Sequence, residues 1–261
     1  MNKSPIYYDK KHVEFLETLW GKGYLSPGGK SEVEKILSGS RIQGKNILDL
    51  GCGSGGVTIS LCRDFGAQKI TGIDIEEPVC EIAKNRVEEF GLGKKIKIIR
   101  VEPGTLPFNN NEFDIVFSKD SMVHIKNKEL IIKEINRVLK PGGKFLASDW
   151  CIRHDSELST EMAYYLELED LGFEMASPRL YQNLLLEAGF ENIILENRNS
   201  WYLEEAQNEV ALLSGQLRTV FENKYSKEYT AISIKTWNAM IEVLKTGEHC
   251  PHHIKAGKPA R

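Results

Sequence analysis

The sequence predicts an α/β fold built on a mostly parallel sheet with helices on both faces. Three observations predict it. Short, almost continuously apolar runs alternate with segments of helical period. A glycine-rich loop follows the first of those runs, and an acidic residue closes the second. Strands that lack polar alternation are those buried on both faces, which is the habit of parallel sheets.

Residues 11–20 read as a helix with Val13, Leu16, Leu19 and Trp20 on one face. The turn-rich loop Tyr24–Gly29 and a second helix over 30–38 follow. Asn46–Leu50 reads as a buried strand that runs straight into Gly51-Cys-Gly-Ser-Gly-Gly56, and helical character resumes from Val57 to Phe65. Lys69–Ile75 is a second strand, 77–90 a helix, Ile96–Val101 a third strand and Phe113–Phe117 a fourth. A helix over 128–139 stops at Lys140-Pro-Gly-Gly143, a turn sequence, before a fifth strand at Lys144–Asp149. Beyond Trp150 the pattern changes. Helices are expected over 156–171 and 178–188, a strand at Asn192–Glu196, a long helical stretch over 204–245 broken near Ser226, and a last short strand at His253–Ala256. One compact domain is expected, with lid helices in 1–44, a ligand-binding core in 45–152, and a helical cap with the last two sheet strands in 153–261.

The chain has 261 residues, 41% of them hydrophobic, enough for a sizeable core. A net charge of −3 and the absence of a long basic run argue against a nucleic-acid partner; Lys94, Lys95 and Lys97 read as a solvated turn. No apolar run reaches the ~20 residues of a membrane helix, so no membrane partner is expected. Met1–Tyr8 lacks the apolar stretch of a secretory leader, and five scattered cysteines make no disulfide framework. A cytoplasmic setting is expected; the oligomeric state stays open. His249-Cys250-Pro-His252-His253 fits no standard zinc spacing, so no metal is expected.

Gly51, Gly53 and Gly56 satisfy G-x-G-x-x-G between a strand and a helix, and Asp74 ends the next strand, placed to grip ribose hydroxyls. A nucleoside cofactor site follows. A dinucleotide would set its pyrophosphate on the helix N-terminus; an S-adenosylmethionine site holds an ammonium and a sulfonium instead. Asp49, two residues before Gly51, favours the second by repelling phosphate and attracting the ammonium, unless it merely anchors the loop. Cys52 reads as a small residue tolerated in that loop. After the fourth strand, Asp120 and His124 are spaced to share one face of a helical turn. At the ligand edge of the sheet, His124 suits a general base, and Asp120 would orient it or the acceptor. Tyr164, Tyr165, Phe173 and Tyr181 either line an acceptor pocket or belong to the core.

Asp49–Gly56, Gly72–Ile75 and Leu139–Gly143 resemble the successive motifs of class I, Rossmann-like S-adenosylmethionine-dependent methyltransferases. The resemblance implies a seven-stranded sheet with its last strand antiparallel. It places the ribose on Asp74 and the adenine near Ile75, Glu102 and Pro103; Glu102 stands where the family carries Asp. More narrowly, Tyr8, Tyr24–Gly29, Phe117–His124 and Ser148–Cys151 resemble phosphoethanolamine N-methyltransferases, and Ser118–His124 is similar, more distantly, to glycine and sarcosine N-methyltransferases. The likeness implies a catalytic pair of lid tyrosine and histidine at Tyr8 and His124, and cofactor contacts at Leu25, Ser26 and Ser118. The phosphoethanolamine enzymes hold the substrate phosphate with tyrosines, an Arg and a Lys. The corresponding positions here carry Leu16, Trp150, Glu167, Leu171, Phe173 and Met240, with Arg153 and Arg179 as spare cations. Trp150, Glu167 and Tyr181 are therefore expected to bind the acceptor; Glu167 and Glu169 would attract a cation and repel a phosphate. The function expected is methyl transfer to a small-molecule amine, leaving S-adenosylhomocysteine. The rivals are an O-, S- or C-methyltransferase and, from the bare glycine motif, an NAD-dependent dehydrogenase.

Overall fold

The computed structural model describes residues 7–261; the first six residues of the lid segment, and so most of the Met1–Tyr8 start, lie outside it. The strands are β1 (Asn46–Leu50), β2 (Lys69–Asp74), β3 (Ile96–Arg100), β4 (Phe113–Lys119), β5 (Leu139–Asp149), β6 (Glu191–Asn197) and β7 (His252–Gly257). They form one sheet in the order β3-β2-β1-β4-β5-β7-β6. The first five pair in parallel, and β7 runs antiparallel to both its neighbours. The expected seven-stranded sheet with a reversed last strand is thus present.

The helices of the core are α2 (Gly29–Leu37), α3 (Gly56–Arg63), α4 (Glu77–Glu89), α5 (Lys128–Val138) and α7 (Pro178–Glu187). Ile131, Ile132 and Ile135 of α5 and Leu185 of α7 pack on one face of the sheet. Val33, Ile36, Ile59 and Val87, from α2, α3 and α4, pack on the other. The cap is made by α1 (Lys10–Trp20), α6 (Thr160–Glu169), α8 (Asn199–Ser214), α9 (Arg218–Tyr225) and α10 (Lys227–Lys245). Its own apolar cluster joins Phe15, Leu16, Tyr165, Phe221 and Trp237 to Val123 and Trp150 of the core. A buried carboxylate, Glu209, pins this cap by accepting from the indole N–H of Trp20 (2.5 Å) and of Trp237 (2.6 Å).

Three boundaries differ from expectation. Strand β5 starts at Leu139, since Leu139 already pairs with Phe113 and Lys140–Gly143 forms a bulge before pairing resumes at Lys144. The helix expected from 156 starts at Thr160, where the Ser159 hydroxyl accepts from the N–H of Met162 and caps it. The long helical stretch begins at Asn199 and breaks at Gly215–Leu217 as well as at Ser226. Among the described residues no helix is long and apolar enough to cross a membrane.

Candidate active site

The carboxyl ends of β1, β2 and β4 open into a cavity of about 530 Å³, at the point where open α/β sheets bind ligands. Its floor is the glycine loop. Gly51, Gly53 and Gly55 all take positive φ (75°, 50° and 89°), which a side chain would strain. A Cβ on Gly56 would collide with the backbone of Gly23, whose carbonyl accepts from the Gly56 N–H at 3.0 Å. The loop is held from above by Arg86 of α4, which donates to the Ser54 carbonyl and pairs with Glu17 of α1 at 2.9 Å.

Asp74 lines the cavity beside that loop, accepting from the N–H of Gly53 (3.0 Å) and of Glu76 (3.1 Å). Burial raises its pKa despite those two bonds, so further donors on its carboxylate would be stabilising. Ile75, Glu102, Pro103, Leu25, Ser26 and Cys52 also line the cavity. Glu102 sits on the rim, its side chain 79% exposed and paired with Arg100 at 3.3 Å. Glu76, which the sequence reading missed, lines it too, and its two carboxylate oxygens accept from the backbone N–H of Tyr7 and Tyr8 at 2.9 Å each. That clasp draws the N-terminal segment across the cavity mouth.

At the inner end stands the pair the sequence singled out. The Tyr8 hydroxyl lies 3.1 Å from His124 Nε2, and His124 Nδ1 lies 3.1 Å from the Leu171 carbonyl. A carbonyl only accepts, so Nδ1 carries the proton and Nε2 is left as the acceptor of the tyrosine hydroxyl. Burial pushes the His124 pKa down to about 4, so the ring is neutral near pH 7. Burial, with Glu169 and Asp74 nearby, drives the Tyr8 pKa up, so its hydroxyl keeps its proton there.

Five expectations need correction, the fifth being Glu167, which lies outside both cavities. Asp49 does not line the cavity: it is 1% exposed, its carboxylate accepts from the Thr58 hydroxyl at 2.6 Å, and burial lifts its pKa to about 7. It anchors the loop; the acids that face the cavity are Asp74, Glu76, Glu102 and Asp120. Ser118 is buried behind the wall, donating to the Leu50 carbonyl and bonding Ser121, which does face the cavity. Asp120 lines the cavity, but among the described residues no hydrogen bond joins its carboxylate to His124. It takes a left-handed backbone (φ 53°), and its carboxylate is held by Lys119 (2.9 Å), Ser148 (2.7 Å) and Tyr202 (3.1 Å). Tyr181 is fully buried and donates to Asp149 at 2.6 Å, away from either cavity.

A second, small cavity of about 30 Å³ adjoins the first and shares Tyr8, Leu25, Ser26, Asp120 and His124 with it. Trp150 lines it with Leu16, Leu171 and Phe173, whereas Glu167 is exposed on the far side of α6 and Glu169 takes the place expected of it. The spare cations are elsewhere: Arg153 reaches the Thr246 carbonyl, and Arg179, 80% exposed, reaches Asp155. The three C-terminal histidines point apart, to Cys151, Cys250 and Glu32.

A family model described as a methyltransferase domain matches residues 42–224, most of the chain and all of the cofactor-side sheet edge. The chain belongs to the methyltransferase domain family. Among relatives of this methyltransferase domain is phosphoethanolamine N-methyltransferase 1 of Arabidopsis thaliana, 26% identical over 93% of this chain and 48% of the relative. The chain spans about half the length of such curated relatives. Phosphoethanolamine N-methyltransferase 2 of Haemonchus contortus, solved with phosphomonomethylethanolamine and S-adenosylhomocysteine, superposes with a TM-score of 0.88 at 26% identity, over 97% of this chain and 58% of that one. A sarcosine dimethylglycine methyltransferase from Galdieria sulphuraria shares the fold at a TM-score of 0.83 and 22% identity, over 98% of this chain and 100% of its own.

Proposed function

We propose that this protein is an S-adenosylmethionine-dependent methyltransferase acting on the nitrogen of a small amine, with Tyr8 and His124 as the proton-handling pair. One observation carries the proposal: the Tyr8–His124 bond stands where a nucleoside-sized cavity meets a small one. The large cavity fits the cofactor by its chemistry. Its glycine floor lets a ligand approach the backbone, Asp74 retains acceptor capacity for ribose hydroxyls, and Ile75, Val101 and Ile131 give an apolar slot for adenine. Four carboxylates against Lys119 and Lys126 favour an ammonium and a sulfonium over a pyrophosphate.

S-adenosylmethionine, held by the glycine loop and Asp74, would supply an electrophilic methyl group to the amine nitrogen. The residues do the rest. An amine must first shed a proton to expose its lone pair. The neutral imidazole accepts at Nε2 through the Tyr8 hydroxyl, and the Leu171 carbonyl holds the ring in the tautomer that can do so. Tyr8 also roofs the junction, so the clasp on Glu76 excludes water while it positions the hydroxyl. All five cysteines are free thiols, consistent with a reducing, cytoplasmic setting.

The test is ligand-induced stabilisation followed by label transfer. S-adenosylhomocysteine at 100 times its dissociation constant should stabilise the fold by about 2.7 kcal/mol, and NAD should not. Labelled methyl should then pass from S-adenosylmethionine to members of a panel of small amines in preference to alcohols and thiols. Stabilisation by NAD alone would overturn the proposal.

A further inference from the structure

Resting on that reading, we infer that the acceptor is a small cationic amine without phosphate or carboxylate, and that Glu169 is the residue that selects it. The small cavity next to Tyr8 and His124 is walled by Trp20, Trp150, Phe173 and Trp237, and among the described residues neither Lys nor Arg lines it. A phosphate placed there would meet no counter-ion. The one cavity-lining carboxylate without a protein partner is Glu169. The described residues offer it no hydrogen bond and no ion pair, whereas Asp120 opposite is bound by Lys119, Ser148 and Tyr202. Burial alone, with no compensating donor, lifts the Glu169 pKa to about 7.

Its place in the fold makes it costlier still. Glu169 is the last residue of α6, followed by the left-handed Asp170 (φ 49°), so its negative charge sits at the negative end of the helix dipole. A half-buried carboxylate without a partner at a helix C-terminus destabilises the empty protein, and a cation would relieve it. Aromatic faces around it add cation–π attraction. The cavity of about 30 Å³ admits a group of only a few heavy atoms, the size of an aminoalkyl end.

The experiment uses the full chain saturated with S-adenosylhomocysteine and calorimetric titration with ethanolamine, N-methylethanolamine and phosphoethanolamine. The two phosphate-free amines should bind at least tenfold more tightly than phosphoethanolamine. Glu169→Gln should weaken them at least tenfold and leave the affinity for S-adenosylhomocysteine within twofold. Glu169→Met should raise the Tm of the ligand-free protein, since it removes an uncompensated charge; a carboxylate kept for structure would lower it. Phosphoethanolamine binding as tightly as ethanolamine, no binding by either phosphate-free amine, or Glu169→Gln binding them like the native chain would each overturn the inference. Loss of S-adenosylhomocysteine binding in the native protein would instead strike the methyltransferase reading itself.

Discussion

Replacing Tyr8 by Phe deletes one hydroxyl and leaves the ring, the Glu76 clasp and the cavity wall in place. What is lost is a single half-buried bond of 3.1 Å to His124. If that bond only positioned groups, its net worth of about 0.5–1.5 kcal/mol would slow the reaction about tenfold at most, since each 1.36 kcal/mol is a factor of about ten. Proton transfer by a positioned group contributes about 10²–10⁴-fold. The two roles therefore separate near a hundredfold, about 2.7 kcal/mol. The expected result is a fall in kcat of at least a hundredfold for Tyr8→Phe and for His124→Ala. The double variant should be about as slow as the slower single, because residues that act as one unit are not additive. The assay is single-turnover transfer of labelled methyl to the amine that the native protein methylates fastest, with the Kd for S-adenosylhomocysteine as control. A Tyr8→Phe variant that kept more than a tenth of the native rate, with cofactor affinity intact, would refute the proton-handling role.

Arg86→Met removes the side chain that ties Ser54 of the glycine loop to Glu17 of α1; breaking such a buried pair costs about 3–5 kcal/mol, so both Tm and cofactor affinity should fall, read by thermal shift and calorimetry. Tyr181→Phe leaves Asp149 short of one donor and should cost about 1–3 kcal/mol of stability with kcat unchanged in the methyl-transfer assay; a fall in kcat would restore Tyr181 to the acceptor site. Ligand-free stability should fall as pH rises from about 6.5 to 8. Asp49, Asp149, Glu169 and Glu209 are held up to about 7 by burial, so the folded chain keeps protons there that the unfolded chain loses, and stability falls as pH rises through that range. His124 and His249, lowered to about 4, and the lowered His12 and His252 pull the opposite way, because the unfolded chain binds their protons first, but only below about 6.5. Urea midpoints at pH 5, 6.5 and 8 check this, and a midpoint that climbed from 6.5 to 8 would contradict it.

The sheet was legible because its strands are short apolar runs bounded by glycine, proline and acid, and because Gly51–Gly56 can only be a turn at a strand end. The cap was less so. Its helices answer to tertiary partners that local pattern does not show: Ser159 caps α6 while its hydroxyl donates to Glu248, 89 residues away. The same limit put Glu167 where Glu169 stands, on the small cavity. Glu167 and Glu169 are about 200° apart on an α-helix, and the polar and aromatic residues of α6 are spread around it, with Tyr165 fully buried and Tyr164 half exposed. Only the packed helix shows which acid faces inward. Asp120 and His124 were joined by a helical spacing, but the left-handed turn at Asp120 breaks that spacing. Its chain neighbour Lys119 and, from distant elements, Ser148 and Tyr202 claim the carboxylate. Glu76 carried a signal that was available: it follows the cavity-lining acid Asp74 by two residues, and its partners are backbone amides, which every sequence has.

The clasp between Glu76 and the amides of Tyr7 and Tyr8 has a kinetic consequence. On the proposed function, the strap that presents the Tyr8 hydroxyl would also hinder the exit of whatever lies beneath it. The nucleoside would then enter first, and its product would depart only after the two hydrogen bonds from backbone N–H groups to Glu76 have let go. Turnover in such an arrangement is paced by unlatching, and a burst of the first methylated product before the steady rate is its signature. Glu76→Gln, which weakens the latch, should shrink that burst and hasten product escape.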